Sequence, residues 1–299
     1  MSDDTIRIAK AGLLASVLGD DEGLLEIAHP QCTWTFPGDP RLLPWAGTFA
    51  GDEIAALMER VKGSLELLDH TPHTFLPVDE RHVVVLSRDR ARVKATGAVF
   101  DHQLCAIATL RDGRLFRWQE YGDTAAMEAG FTGDARPRPP CPEPQIASLP
   151  PARAWDRGVD GPVSPAALMK QLFISFHLGD NEGVLELVHP DGRFFYPGDP
   201  KVLPWAGWCD GREMGAFMEA CKDALFYHDY CPLAFYPLDG THVLVQAWER
   251  CEVKATGRFF ENPHVGIATV VDGLCTRWEE FSDTSAMERA FLTRDRSEP

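Results

Sequence analysis

Glu120 follows Trp118 by two residues, and the same pair recurs as Glu280 and Trp278. On an extended strand a spacing of two puts both side chains on one face. Counting from Phe116, that face carries Phe116, Trp118 and Glu120, and a carboxyl beside an indole in apolar surroundings has its pKa raised, as proton transfer near neutral pH requires. Asp89 and Glu249 share strand parity with Val83, Val85, Val243 and Val245, so they face inward if those valines line a core, while Arg90 and Arg250 point away. Imidazoles titrate in the same range. When the two halves of the chain are aligned at an offset of 160, His102 falls on Asn262 and Leu104 on His264, so each half offers one histidine to the same face at a different depth. The pattern points to acid/base chemistry by Glu120, Glu280, His102, His264, Asp89 and Glu249. The competing reading is structural: acids solvated or paired at a sheet edge, and histidines satisfied in a core.

The aromatic residues around them are candidates for holding a ligand: Trp34, Phe36, Trp45 and Trp118 in the first half, Phe194, Tyr196, Trp205 and Trp278 in the second. In the segment 37–47, nine of eleven positions match 197–207. Its prolines flank an indole, which suits a pocket rim over an apolar ligand or a plug in the pocket's wide end. Trp34→Phe194, Thr35→Phe195, Phe36→Tyr196, Ser64→Ala224 and Arg88→Trp248 mark the second half as reshaped. His29 and His189, in His-Pro pairs, and His82 and His242, at strand starts, read as structural; Asp123 and Asp283 read as helix caps. No phosphate loop, Rossmann glycine pattern or HExxH is present, and no His/Cys cluster recurs in both halves, so cofactor-independent action without a metal is expected.

The elements that must position these residues come twice. Pro37-Gly38-Asp39-Pro40, Val93-Lys94-Ala95-Thr96-Gly97 and Ala126-Met127-Glu128 all recur 160 residues later without a gap, which is domain duplication rather than a solenoid. The expected boundaries are 1–131 and 166–294, joined by a tether, 132–165, that holds nine prolines and favours an extended path. Within the first copy, Ile8, Ala11, Leu14, Ala15 and Leu18 have helical spacing before Gly19, and Asp20 caps a short helix over 22–28 that Pro30 halts. A short strand over 32–36 and a helix from Asp52 through Leu65 follow. Strands are expected over 73–78, 81–93, 99–110 and 114–121, the last hairpin turned by Asp112-Gly113. Helices first and a meander of strands afterwards indicate an α+β domain whose helices cover one face of a curved sheet and enclose a cavity.

The strand ending in Phe36-Pro37-Gly38, the Pro44-Trp45-Ala46-Gly47 loop, Gly51 before a helix, Asp112-Gly113-Arg114-Leu115 and Trp118-Gln119-Glu120-Tyr121-Gly122-Asp123 together resemble the SnoaL-like branch of the nuclear transport factor 2-like superfamily, over about 115 residues in each half. The resemblance implies cone-shaped, cystatin-like domains with an apolar pocket, often paired sheet to sheet. It also implies hosts of isomerase, cyclase, hydrolase and dehydratase chemistry and of binding without catalysis. Two fused copies would form inside one chain the pseudo-dimer that single-domain relatives form by association, and that pair could associate again. The ketosteroid isomerase constellation is not reproduced: its base position falls at Phe36 and Tyr196, its tyrosine near Gly12 and Leu172, and its second acid near Ala106 and Gly266. The resemblance to cyclases instead places an acid/base carboxylate at Glu120 and Glu280.

With 45 acidic against 29 basic residues and a formal charge of −16, the surface repels phosphate backbones and anionic membranes, so neither nucleic acid nor membrane is an expected partner. The amino-terminal sequence lacks the basic start and apolar core of a signal peptide, and no apolar run is long enough for a span; a cytoplasmic location is expected. None of the eight cysteines has a counterpart in the other copy, which favours reduced thiols as small apolar filler. The expected function is cofactor-free binding of a small apolar or aromatic, carbonyl-bearing molecule, with isomerase, cyclase or hydrolase activity. The alternative is a noncatalytic ligand-binding or scaffolding module.

Overall fold

A computed structural model describes residues 3–18, 20–133 and 164–292. The chain divides into two compact units, Met1–Cys141 and Pro142–Pro299. Most of the proline-rich segment 132–165, with Cys141 and Trp155, lies outside the described residues, as does Gly19.

Domain 1 runs α1 (Asp3–Leu18), α2 (Asp21–Ile27), β1 (Ala28–Phe36), β2 (Gly47–Ala50), a 3-10 turn (Gly51–Glu53), α3 (Ile54–Ser64), β3 (Leu65–Pro77), β4 (His82–Val93), β5 (Val99–Arg111), β6 (Arg114–Gly122) and α4 (Thr124–Thr132). Domain 2 repeats the order as α5 (Pro165–His177), α6 (Asn181–Leu187), β7 (Val188–Tyr196), β8 (Gly207–Asp210), α7 (Met214–Ala224), β9 (Leu225–Pro237), β10 (His242–Val253), β11 (Arg258–Val271), β12 (Leu274–Ser282) and α8 (Thr284–Phe291). Each domain is the expected α+β fold: a six-stranded sheet, β2-β1-β6-β5-β4-β3 or its counterpart. The sheet is mixed rather than a pure meander, because β1 runs parallel to β6 and β7 to β12. Among the described residues no helix is long and apolar enough to cross a membrane.

Local chemistry explains most boundaries. The Asp20 and Asp180 carboxylates accept from the backbone N–H of Gly23 and Gly183 and cap the second helix of each domain. Asp123 and Asp283 cap the last helix in the same way, through the N–H of Ala126 and Ala286. Three expectations need correction. The second helix ends at Ile27, and Pro30 lies inside β1, in an irregular stretch between Ala28 and Thr33 where the register with β6 shifts. The short strand β2, in a stretch between loop and helix where no strand is expected, pairs with β1. The third helix stops at Ser64, and residues 65–72 are already strand: β3 pairs with β4 from Leu65↔Val93 onward, with register shifts at Leu67/Asp69 and Pro72/Thr74. Those two irregularities break the period-two pattern that would have marked the strand in the sequence.

The repeated motifs are locked to each other. Glu128 of α4 accepts from the backbone N–H of Asp39 at 3.1 Å, and Glu288 from that of Asp199 at 2.9 Å, all four residues being buried. The Pro-Gly-Asp-Pro loop and the Ala-Met-Glu helix therefore recur together because one holds the other.

Candidate active site

Each domain encloses a cavity between its helices and one face of its sheet. The cavity of domain 1 has a volume of about 370 Å³, and Trp34, Phe36, Trp45, Asp89, His102, Trp118 and Glu120 all line it. The cavity of domain 2 is about 90 Å³, lined among others by Phe194, Tyr196, Trp205, Glu249, His264, Trp278 and Glu280. All fourteen residues singled out from the sequence thus stand at one cavity or the other.

Glu120 reaches the cavity by a route the alternation argument did not contain. Pairing of β5 with β6 steps from Thr109↔Arg117 to Leu110↔Leu115, so Phe116 is the extra residue of a bulge. Phe116 therefore leaves the inner face; its ring lies under the Arg111 guanidinium and edge-on to His29, and Leu115 takes its place in the core beside Trp118. The Trp118 Nε1–H donates to Glu120 Oε2 at 3.3 Å. Burial pushes the Glu120 carboxyl up to about 8, the negative Asp89 adds to the rise, and the indole bond opposes it. At neutral pH Glu120 is consequently a neutral acid able to donate a hydrogen bond.

Asp89 arrives by plain alternation: Val83, Val85, Ala91 and Val93 of β4 are buried in the same core. Asp89 is half-buried at the cavity, its side chain 24% exposed, whereas Arg90 and Arg250 are exposed as expected. His70, Asp89 and His102 sit directly opposite one another across β3, β4 and β5, which brings three ionisable side chains into one row. His70 Nδ1 lies 2.5 Å from Asp89 Oδ1. His102 is buried, and its Nδ1 has no hydrogen-bond partner among the described residues.

In domain 2 the same row reads Tyr230, Glu249, Asn262. The Asn262 side-chain N–H donates to Glu249 at 2.8 Å, and His264, two residues along, stacks on the Tyr230 ring with its Nδ1 3.2 Å from the Asn262 carbonyl oxygen. Burial raises the pKa of Glu280, the neighbouring Glu249 adds to the rise, and His264 counteracts it. Burial also holds Tyr196, Tyr227 and Tyr230 well above the usual phenol range, with the nearby acids reinforcing the effect.

Of the substitutions named from the sequence, Phe194 and Tyr196 line the domain 2 cavity, but its smaller volume comes mainly from others. Phe195 packs at a tilt on Trp208, and neither Phe195, Ala224 nor Trp248 lines the cavity. It is filled by Phe173, Phe176, Tyr227 and Tyr230, where the first copy has Leu13, Ser16, Leu67 and His70; Phe173, Phe176, Tyr227 and Tyr230 pack ring against ring. Gly266 contributes as well, since a Cβ there would overlap the Trp278 indole. With Ala106 at the equivalent place, Trp118 instead stacks on Trp34, centroids 5.7 Å apart, while Trp278 packs edge-on to Phe173.

The paired indoles of the proline-rich loop are not exposed rims. Trp45 is buried, and both it and Trp205 pack edge-on to Phe131 and Phe291. His29 and His189 accept backbone N–H bonds two residues on, and His82 and His242 face Asp79 and Asp239 in turns, as structural histidines do. The seven described cysteines are free and buried except Cys231, which is exposed and so is not filler. Burial raises the Cys275 thiol to about 12 and Cys209 to about 11, far from a thiolate nucleophile. No group of three or more His, Cys, Asp or Glu side chains suited to a metal ion occurs among the described residues.

Period-two alternation does not reveal His70, because register shifts flank it on β3. The signal available was the comparison of copies, in which His70 against Tyr230 is a change of chemistry at a matched position.

No protein-family model matches the sequence, and no curated protein matches it. Solved structures similar to the chain include an NTF2-like protein from Burkholderia xenovorans LB400, 26% identical, covering 44% of this chain and 98% of its own at a TM-score of 0.41. An NTF2-like protein from Burkholderia pseudomallei K96243 is 22% identical over 44% of this chain and 99% of its own, with a TM-score of 0.39. An LEH-like epoxide hydrolase from M. tuberculosis is 19% identical over 44% and 90%, with a TM-score of 0.35.

Proposed function

We propose that domain 1 encloses a small apolar or aromatic, carbonyl-bearing molecule and carries out cofactor-free acid/base chemistry on it, of the isomerase, cyclase or hydrolase kind, with Glu120 as the neutral acid that hydrogen-bonds the carbonyl oxygen. The observation that carries the reading is a carboxyl kept protonated at neutral pH, its pKa about 8, inside a largely apolar cavity of about 370 Å³. A neutral acid in such a place stabilises negative charge as it develops on a carbonyl oxygen, and it does so most strongly where water is excluded. Trp34, Trp118 and Phe36 supply flat apolar walls for a ring system.

Domain 2 fits the noncatalytic alternative. Its cavity of about 90 Å³ is smaller than the ~150 Å³ that accommodates a benzene ring in an engineered protein cavity, and its aromatic lining occupies the ligand's place.

The test uses indanone as a probe ketone. The wild-type chain in heavy water is expected to accelerate exchange of the protons next to the carbonyl, followed by NMR, and Glu120→Gln to lower that rate ~100-fold, the usual worth of one acid/base group. Exchange that is undiminished in the variant removes Glu120 from the chemistry.

A further inference from the structure

We propose that His70 is the proton acceptor of the domain 1 cavity and that Asp89 is its positioning residue, so that an imidazole base and the Glu120 acid serve one ligand. The inference rests on the reading of that cavity as an acid/base site and names the half of the machinery that reading leaves open.

The geometry is that of an oriented base. The His70 side chain is 9% exposed, its Nδ1 lies 2.5 Å from Asp89 Oδ1, and the residue lines the cavity. Its Nε2 is buried and has no hydrogen-bond partner among the described residues. An ionised carboxylate only accepts, so Nδ1 must carry the hydrogen of this contact, and a neutral imidazole protonated there keeps its lone pair on Nε2. Buried polar atoms are nearly always satisfied, so a free Nε2 on a residue of the cavity wall is accounted for if a small turn of the ring lets a ligand supply the missing group. Asp89 then does two things: it holds the ring in one tautomer and steadies the imidazolium that forms. The cross-strand register His70↔Asp89↔His102 sets the pair opposite each other on hydrogen-bonded strands, between the two irregularities of β3.

The step balances without another reactant. His70 Nε2 takes a proton from the carbon next to the carbonyl, the C–H pair becomes the C=C bond of an enolate, and the carbonyl pair moves to oxygen, which accepts a hydrogen bond from Glu120. Return of the proton from imidazolium to the same or another carbon completes exchange or isomerisation. Domain 2 has no equivalent: Tyr230 replaces the imidazole, and Glu249 accepts from the Asn262 amide.

Two measurements on the full chain test the assignment. Long-range proton–nitrogen NMR of histidine-labelled protein is expected to show His70 with the proton on Nδ1 and a bare Nε2, and Asp89→Asn to shift it toward the other tautomer, a change that a purely structural role for Asp89 would not require. The second measurement uses nitrobenzisoxazole, whose C–H proton is removed by a base as its N–O bond breaks to give a coloured cyanonitrophenolate. Wild type is expected to accelerate this elimination over buffer, His70→Phe to lower the acceleration ~100-fold, and Asp89→Asn to lower kcat ~10-fold with KM little changed. Elimination lost in His70→Phe but kept in Glu120→Gln supports the base even where the Glu120 reading fails. A wild type no faster than buffer, full elimination in both His70→Phe and Asp89→Asn, or a proton on Nε2 overturns the assignment, and ketone exchange that still needs Glu120 would then leave the broader reading intact.

Discussion

The burial of Glu120 has a consequence for stability that needs no knowledge of the ligand. Its carboxyl titrates at about 8 in the folded chain against an ordinary 4.5, and among the described residues no cation pairs with it. Between those values the native state holds a proton that the unfolded chain has released, so stability is greatest below about 4.5 and is lost as pH rises through about 8. At about 1.4 kcal/mol for each pH unit, the displacement corresponds to about 5 kcal/mol once both states are ionised. Glu120→Gln keeps the shape and an oxygen to accept the Trp118 indole bond but cannot ionise. Moving from pH 5 to pH 8 should therefore cost the wild type about 3.5 kcal/mol more than the variant, because part of the transition lies outside that interval. Urea unfolding read from NMR signals of domain 1 amides measures the difference domain by domain. Parallel stability curves for the two proteins would mean that Glu120 is ionised or hydrated in the native state, and the account of a neutral buried acid would be wrong.

Two further outcomes follow from the packing. Gly266→Ala drives a methyl into the Trp278 indole and should destabilise domain 2 by ~1–3 kcal/mol, as overpacked cores do, with a change in tryptophan emission; unchanged thermal unfolding would show that the indole has room to move. Glu128→Ala leaves the buried Asp39 N–H without the carboxylate at 3.1 Å and should cost domain 1 ~1–3 kcal/mol in urea unfolding, with Glu288→Ala doing the same to domain 2; a neutral result would disprove the lock between the loop and the last helix.

A regular period makes a residue's face legible in the sequence. Asp89 and Glu249 lie on strands with unbroken alternation through Val83 and Val85 or Val243 and Val245, so counting by twos placed them. Alternation gives Glu120 the right face but the wrong neighbour, since the bulge at Phe116 puts Leu115 in its place. His70 could not be reached by counting at all, because β3 is interrupted twice and contains Pro72. The strong repetition of the Pro-Trp-Ala-Gly loop fits a ligand rim or a plug equally in the sequence; in the structure its Asp39 is tied to Glu128 and its buried Trp45 packs on Phe131 beside the cavity.

What the sequence by itself determined is the duplication, the α+β class and the cast of ionisable and aromatic side chains, because those depend on composition and on local periods that survive without a partner. Only the tertiary structure decided that one cavity is open and the other filled, and that a histidine joins Asp89 in the first. Those outcomes depend on contacts between residues far apart in the chain: Leu13 or Phe173 against the sheet, Ala106 or Gly266 beneath an indole, and His70 set opposite Asp89 by a strand register that two irregularities conceal.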